Sequence, residues 1–233
     1  MTRIPLFPVL HDGPPDVHVW RVDIRFDTSL ESDTFTALSS DERTQARVFR
    51  RSEDALRFAT VRAALREQLA SALGTAPHML RLTRDAMKRP CLAEATSIDF
   101  NVSHSGAHGL IALSTRRRVG VDIEQRNPQL DWRALASLTL ADSETVALEQ
   151  LHPEECIERF YDAWVAKEAL LKTTGVGVVL GLPRLTVLPR DGVRVALRDT
   201  VPDEAHDLAA SWLAAPAGYA ACAAWSMTAG NLS

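Results

Sequence analysis

Two short motifs constrain this chain more than any other feature of its sequence. The first is the run Gly-Val-Asp-Ile-Glu at 120–124, and the second is the run Trp-Val-Ala-Lys-Glu-Ala-Leu-Leu-Lys at 164–172. The first run is typical of a β-strand, in which successive side chains point to opposite faces. Asp122 and Glu124 therefore project from one face of the strand, about 7 Å apart along it.

The second motif predicts a helix that supplies the remaining polar groups. Residues four apart lie one above the other on a helix, so Trp164, Glu168 and Lys172 form a single stripe. Three carboxylates beside a lysine are typical of a Mg²⁺ site that binds a phosphate-bearing substrate. Mn²⁺ accepts the same oxygen ligands in octahedral geometry, so the sequence leaves the choice between the two metals open.

Composition narrows the class of protein. The 233 residues are 46% hydrophobic and 24% charged, which suits one large globular domain or two small ones. A formal net charge of −4 gives no general attraction to nucleic acid. The N-terminal segment contains four prolines in its first 15 residues and no continuous apolar stretch, so it predicts neither a signal peptide nor a membrane anchor. We therefore expect a protein that binds neither nucleic acid nor membranes.

The three cysteines indicate a reducing cellular compartment. Cys91, Cys156 and Cys222 are odd in number, far apart and without metal-site spacing. This pattern favours reduced thiols over disulfides or a zinc site, and it suits the cytoplasm.

Hydrophobic periodicity predicts helices and short strands in both halves of the chain. Strands are predicted from period-two alternation and helices from apolar spacing, capping residues and terminal glycines. The predicted helices begin at Ser40, run from Ser52 to Leu73, follow Asp131, begin at Ala141 and run from Pro153 to Thr174. The predicted strands are 17–24, 79–83, 98–102, 109–114, 119–124, 184–188, 193–197 and 219–225. In each half helices are followed by strands, which indicates an α+β fold and not alternating βαβ units.

A third motif completes a pattern that resembles a known family. Asn-Val-Ser-His-Ser-Gly at 101–106 precedes the other two motifs, and the three together resemble the ordered motifs of the 4′-phosphopantetheinyl transferases, specifically the Sfp type. Further similarity covers 40–69 and 88–90. The resemblance implies two pseudo-symmetric α+β halves, here 1–116 and 117–233, with the active site in the cleft between them. It also implies a monomer.

The resemblance implies a reaction as well as a fold. Members of this family transfer the 4′-phosphopantetheine arm of coenzyme A to a serine of an apo carrier protein and release adenosine 3′,5′-bisphosphate. The partner implied here is an acidic acyl, peptidyl or aryl carrier protein. The sequence leaves open whether that carrier serves fatty-acid, polyketide or nonribosomal peptide synthesis.

Catalytic and metal-binding roles are carried over residue by residue. Asp122 and Glu124 match metal ligands of the family, and Glu168 matches a third carboxylate that acts as metal ligand, general base or both. Lys172 matches a lysine that contacts the phosphates of coenzyme A and stabilises charge during transfer. We therefore expect Asp122, Glu168 and Lys172 to be catalytic.

A second group of residues resembles the coenzyme A contacts of the family. Ser103 and His104 match a pair at the phosphates, where a hydroxyl and a protonated imidazole donate hydrogen bonds. Three arginines match basic positions on the nucleotide side, and guanidinium groups suit phosphates well. These are Arg43, Arg57 and Arg89. A further basic position of the family is Ala46 here, with Arg47 beside it, so that contact is missing or shifted.

Each motif has an ordinary structural explanation when it is taken alone. An Asp-x-Glu pair commonly lies at a solvated strand end, and Glu168 with Lys172 is a common helix-surface pair. Arg116–Arg118 fits a solvated hairpin connection, and Glu144 matches an acidic family position without an assigned role. Two other functions remain open: a Mg²⁺-dependent pyrophosphatase or phosphotransferase without a protein acceptor, and a catalytically silent module that binds coenzyme A or a carrier protein.

Three segments are candidates for carrier binding. A basic or apolar surface would complement an acidic partner. The candidates are 125–130, the start of the helices that follow it and the glycine-containing stretch 175–180. The arginines of 116–118 would add positive charge if they belonged to the same surface.

Overall fold

The computed structural model describes residues 4–86, 88–94, 96–175, 181–198 and 202–230. Helices and antiparallel sheets are mixed along these residues, which confirms the predicted α+β class. The α-helices are α1 Ser40–Arg47, α2 Ser52–Leu73, α3 Trp132–Thr139, α4 Asp142–Glu149 and α5 Pro153–Thr174. The strands are β1 Leu6–Pro8, β2 Val17–Asp23, β3 Leu82–Arg84, β4 Pro90–Leu92, β5 Asp99–Ser105, β6 His108–Ser114, β7 Val119–Gln125, β8 Arg194–Val195, β9 Leu208–Trp212 and β10 Tyr219–Ser226.

Two four-stranded sheets form the centre of the molecule. The first has the strand order β1-β2-β6-β5 and the second the order β7-β10-β9-β8, while β3 and β4 pair separately. Every strand pair is antiparallel. Each large sheet is accompanied by one helix of 22 residues, α2 or α5, so the two halves of the chain repeat the same plan.

Three apolar clusters give the order of the layers. Helix α2 packs on one face of the first sheet, where Leu65 and Ile111 are buried together. Helix α5 packs on the outer face of the second sheet through residues such as Ala169. The inner faces of the two sheets pack on each other, with Val19 on one side and Val121 on the other. The layers therefore run from α2 through the two sheets to α5.

Strand β5 lies beside strand β7 without forming a backbone ladder with it. Alternate side chains of β5 instead accept hydrogen bonds from alternate backbone N–H groups of β7, and we call Asp99, Asn101, Ser103 and Ser105 the β5 side-chain ladder. The bonds are Val119 N–H to Asp99 at 2.8 Å, Val121 N–H to Asn101 at 3.1 Å, Ile123 N–H to Ser103 at 3.4 Å and Gln125 N–H to Ser105 at 3.0 Å. This ladder joins the two sheets along the edge where the acidic motif lies.

Helix α5 begins and ends as the sequence predicts. Pro153 occupies its first turn, where a missing N–H leaves no hydrogen bond unmade, and Gly175 ends it in the left-handed conformation with φ of 73°. The helix crosses β7 so closely that a Cβ on Gly120 would lie 2.2 Å from the carbonyl oxygen of Ala169. Glycine at 120 is therefore what lets α5 approach the acidic strand.

Several predicted elements differ from the observed ones. Residues 115–118 do not close a hairpin, because β6 and β7 belong to different sheets and the segment passes between them. The strand predicted at 79–83 is a short 3₁₀ turn followed by β3 from Leu82. Among the described residues, the strand predicted at 184–188 contributes a single bridge, from Thr186 to Arg198. Within the described ranges, no helix has the length and apolar character needed to cross a membrane.

Candidate active site

Asp122 is the most buried acidic group of the first motif. It lies on the face of β7 that meets α5 and is 3% exposed. Its Oδ1 atom accepts hydrogen bonds from Lys172 Nζ at 2.6 Å and from the Ser103 hydroxyl at 2.7 Å. Its Oδ2 atom is buried and has no hydrogen-bond partner in the part of the chain that is described. One oxygen of a buried carboxylate is thus left for a ligand from outside the protein.

Glu124 lies on the same face of β7, two residues further on, as predicted. The Ser105 hydroxyl donates a hydrogen bond to its Oε2 atom at 2.8 Å. Burial raises the pKa of Glu124, and the nearby charges of Asp122 and Glu168 raise it further, whereas the Ser105 hydrogen bond and Lys172 oppose the shift. The charges of Asp122 and Glu168 therefore affect the protonation of Glu124.

Glu168 comes from α5 and belongs to the predicted stripe. Trp164, Glu168 and Lys172 are each partly exposed, whereas all of the α5 residues between them are buried. Burial raises the pKa of Glu168, the charge of Asp122 adds to this shift, and Lys172 opposes it. The stripe thus faces the same space as the acidic face of β7.

This donor set suits Mg²⁺ when water or substrate phosphates complete the coordination shell. Among the described residues no three His, Cys, Asp or Glu side chains are close enough together to hold a metal ion. Mg²⁺ in enzymes commonly uses one or two carboxylates and completes its shell with water and substrate phosphates. The free Oδ2 of Asp122 and the coupled Glu124 fit that arrangement. The full ligand set of Asp122, Glu124 and Glu168 stays a prediction.

Ser103 and His104, the pair predicted at the coenzyme A phosphates, lie at the edge of this space. Ser103 Oγ bonds to Asp122 and is 3.4 Å from Lys172 Nζ. Desolvation of its ring lowers the pKa of His104, and the positive charges of Arg57 and Lys172 add to the effect. A dianionic phosphate bound here would reverse that effect, because it would favour the protonated imidazole.

Two of the three predicted arginines lie on the helices of the first half. The Arg57 guanidinium donates to the carbonyl of Gly106 at 2.7 Å and pairs with Asp54 at the same distance. Arg43 donates to the carbonyl of Phe35 at 2.7 Å. Both residues are partly exposed, and the Arg57 guanidinium lies over the ring of Phe26.

Arg89 is held in the interior, which the sequence did not indicate. Its guanidinium donates to the Asp99 carboxylate at 2.7 Å and to the carbonyls of Phe100, Val119 and Lys172 at 2.8 to 2.9 Å. Burial lowers the pKa of Arg89, and Asp99 opposes the shift. Arg89 therefore joins β5, β7 and the end of α5, and a nucleotide contact for it stays a prediction.

Comparison with known proteins places this sequence in a family. A family model described as the 4′-phosphopantetheinyl transferase superfamily matches residues 118–224, and one described as the N-terminal part of 4′-phosphopantetheinyl transferase matches residues 29–116. The 4′-phosphopantetheinyl transferase HetI of Nostoc sp. is 30% identical over 213 residues, which cover 87% of this chain and 90% of HetI. The chain belongs to the 4′-phosphopantetheinyl transferase family.

Other relatives agree with this membership. The protein named "Putative 4'-phosphopantetheinyl transferase slr0495" of Synechocystis sp. is 42% identical over 147 residues, and this match spans 62% of the present chain and 60% of that protein. A 4′-phosphopantetheinyl transferase of Bacillus subtilis is 28% identical over 174 residues, covering 74% of this chain and 75% of the relative. The predicted enzyme class is thereby confirmed.

Sequence reasoning missed the polar groups that support the site of this 4′-phosphopantetheinyl transferase. Asp99, Asn101 and Ser105 received no role, although with Ser103 they place a polar side chain at every second position of β5. That period-two pattern on a strand flanked by apolar residues was the available signal. The polar residues form the face of β5 that hydrogen-bonds to β7 and not to solvent.

Glu144 and Lys167 form a second feature that sequence reasoning left without a role. Both side chains are almost completely buried and pair with each other, Glu144 reaching from α4 to α5. Glu144 also accepts hydrogen bonds from the backbone N–H groups of Ala141, Val187 and Leu188. In this transferase the pair therefore fixes α4, α5 and the segment after α5 to one another.

Proposed function

We propose that this protein transfers the 4′-phosphopantetheine arm of coenzyme A to a serine hydroxyl of an apo carrier protein, in the manner of the Sfp type, and releases adenosine 3′,5′-bisphosphate. Family membership supports the transfer. The observation that carries the proposal for this site is the buried Asp122 Oδ2, which has no partner among the described residues and lies in a cluster with Glu124, Glu168 and Lys172.

The reaction needs a proton acceptor and positive charge at the phosphates. The serine oxygen attacks the pantetheine-side phosphorus of the pyrophosphate, the bond to the bridging oxygen breaks, and the nucleotide leaves with the electron pair. We assign the role of proton acceptor to Glu168, the carboxylate that α5 brings beside Asp122 and Lys172. Lys172 offsets the negative charge of Asp122 and that of the phosphates.

A divalent cation, Mg²⁺ or Mn²⁺, would be held by carboxylates from the set Asp122, Glu124 and Glu168, with water and the phosphates of coenzyme A supplying the ligands that these side chains do not. It would neutralise charge that develops on the phosphate oxygens. Burial and mutual repulsion raise the proton affinity of Glu124 and Glu168, so these side chains gain by sharing a cation.

Binding of coenzyme A would involve residues from the first half of the chain. We assign Ser103 and His104 to the phosphates and Arg43, Arg57 and Arg89 to the nucleotide side. Support for Ser103 is its position 3.4 Å from Lys172 Nζ, and support for Arg57 is its effect on the pKa of His104. The division of the chain into 1–116 and 117–233 would then place the site at the junction of the two halves.

We assign carrier binding to the segment 125–130 and its surroundings. Three arginines, Arg126, Arg159 and Arg190, lie 3.0 to 3.5 Å from the buried carboxylate of Asp162. One carboxylate among three guanidinium groups leaves two positive charges, which would attract an acidic carrier. The candidate segment 175–180 lies largely outside the described residues. We expect the enzyme to be cytoplasmic, in line with its three free cysteines, and to be a monomer, as the resemblance to the Sfp type implies.

The proposal is tested by mass spectrometry of the acceptor. The protein is incubated with coenzyme A, Mg²⁺ and a panel of apo carrier proteins, and each carrier is examined for the mass of one phosphopantetheine arm on its serine. A serine-to-alanine carrier is the control. Rapid hydrolysis of coenzyme A with no mass gain on any carrier would contradict the proposal and favour a pyrophosphatase. The absence of both reactions would favour a silent binding module.

A further inference from the structure

Ser105 makes one hydrogen bond to the backbone of β7 and another to a carboxylate of the candidate active site. Its hydroxyl oxygen accepts the backbone N–H of Gln125 at 3.0 Å, and its proton is donated to Glu124 Oε2 at 2.8 Å. The first bond belongs to the β5 side-chain ladder, and the second reaches a carboxylate of the candidate active site. The hydroxyl therefore ties the side chain of Glu124 to the backbone beside it.

The same arrangement occurs two residues earlier on both strands. Ser103 accepts the N–H of Ile123 at 3.4 Å and donates to Asp122 Oδ1 at 2.7 Å. In each case a serine bridges one carboxylate and the N–H of the following residue. The repeat follows from the register of the two strands, because alternate side chains of β5 meet alternate residues of β7.

Only a side chain that both accepts and donates can complete this bridge. A hydroxyl has lone pairs for the backbone N–H and a proton for the carboxylate. Asp99 and Asn101, earlier on β5, act as acceptors toward Val119 and Val121 and form no hydrogen bond to a carboxylate in the described part of the chain. The change from Asp and Asn to serine along β5 coincides with the point where the acidic residues of β7 begin.

We propose that Ser105 is a positioning residue that orders the Glu124 carboxylate for binding of a divalent cation. This inference rests on the proposed role of Glu124 as a metal ligand. Glu124 is only partly buried, so without a fixed donor its side chain would sample other rotamers. Hydrogen bonds that orient a ligating group typically change metal affinity by about 10- to 100-fold.

The test measures binding of Mn²⁺ by isothermal titration calorimetry, with the full-length protein and coenzyme A but without a carrier. We expect Ser105→Ala to weaken Mn²⁺ binding by about 10- to 100-fold, and Ser105→Thr, which keeps the hydroxyl, to restore it. The matched control is Asn101→Ala, which removes a ladder acceptor that does not touch a carboxylate. It should lower the melting temperature and leave Mn²⁺ affinity unchanged.

Three outcomes would overturn the inference: unchanged affinity in Ser105→Ala, no restoration by threonine, or an equal loss in Asn101→Ala. Circular dichroism checks that each variant is folded, and Ser105→Cys, a weak donor, replaces Ser105→Ala if the latter unfolds.

Glu124→Gln separates this inference from the proposed function. If Glu124→Gln binds Mn²⁺ as tightly as the wild type, the ligand assignment is wrong; if it weakens binding but Ser105→Ala does not, only the role of Ser105 is wrong.

Discussion

At the scale of single residues, the ion pair of Lys172 and Asp122 determines the electrostatics of the site. The ammonium group is 2.6 Å from Asp122 Oδ1, and the aspartate side chain is almost completely buried. A buried carboxylate requires a charged partner or several donors. Lys172 is therefore needed by the folded protein before any substrate binds.

We predict that Lys172→Met lowers the free energy of unfolding by about 1–3 kcal/mol, because it leaves Asp122 with one donor fewer. Mg²⁺ should recover part of the loss by supplying positive charge at Asp122. Urea unfolding with and without Mg²⁺ measures both effects. Lys88→Met, at an exposed lysine, is the control and should change little. Equal stability of the Lys172 and Lys88 variants would contradict the account.

The shared face of Asp122 and Glu124 could be predicted, but the hydrogen-bond partners of these carboxylates could not. Asp122 and Glu124 were expected on one face because that depends only on strand periodicity. The bonds from Asp122 to Ser103 and to Lys172 span 19 and 50 residues of sequence. Such bonds depend on how β5, β7 and α5 pack together, and no local pattern encodes that.

At the scale of elements, the close contact of α5 with β7 brings Glu168 and Lys172 to the acidic strand. Gly120 permits this contact, since a Cβ there would lie 2.2 Å from the carbonyl oxygen of Ala169 and 2.5 Å from Thr173 Oγ1. The buried pair of Glu144 and Lys167 holds the other side of the helix.

We predict that Gly120→Ala lowers the free energy of unfolding by about 1–3 kcal/mol, because the added methyl group pushes α5 away from β7. The same displacement should reduce transfer activity, since it moves Glu168 relative to Asp122. Gly230→Ala is the control, because a Cβ at Gly230 meets no atom within 4 Å. Thermal unfolding and activity are measured together. Wild-type values for Gly120→Ala would show that the contact is not required.

We predict a larger loss for Lys167→Met, about 3–5 kcal/mol, because it leaves the buried Glu144 carboxylate without its cation. The remaining bonds of Glu144 come from backbone N–H groups, so part of the fold around it should persist. Chemical unfolding of Lys167→Met and of Lys88→Met gives the comparison. A loss below about 1 kcal/mol, the range of an exposed pair, would contradict the buried ion pair.

Element boundaries were predictable where local chemistry sets them. Helix α5 was predicted with its exact limits because Pro153 and Gly175 act locally. In the segment from 182 to 198, β8 confirms part of the strand predicted at 193–197, whereas the strand predicted at 184–188 is a single bridge among the described residues. The extent of such short strands depends on pairing with distant residues, such as Arg194 with Ser211. Strand β9 was not predicted for the same reason.

At the scale of the whole molecule, the β5 side-chain ladder joins the two large sheets, and Asp122 and Glu124 of the acidic cluster bond to its two serines. Burial raises the pKa of both Glu124 and Glu168 above the ordinary value of 4.5. Without metal, these groups therefore stabilise the fold most when protonated, and that contribution is lost as pH rises through their raised pKa values.

We predict that stabilisation by Mg²⁺ has the opposite dependence on pH. Protons compete with the cation for the two carboxylates, so the rise in melting temperature caused by Mg²⁺ should be small near about pH 4.5 and should grow as pH increases toward neutrality. Thermal unfolding with and without Mg²⁺ across this range measures it. The double variant Glu124→Gln, Glu168→Gln should lose the dependence, and a pH-independent effect in the wild type would contradict the prediction.

The central claim is that the carboxylates around Lys172 carry out phosphopantetheine transfer. The most direct measurement compares the wild type, Asp122→Ala and Glu168→Gln for the rate at which a suitable apo carrier gains one phosphopantetheine arm, followed by mass spectrometry. The account predicts transfer by the wild type and a loss of at least about a hundredfold in each variant, with both variants still folded by circular dichroism. Near-normal transfer by a folded Asp122→Ala or Glu168→Gln would contradict it.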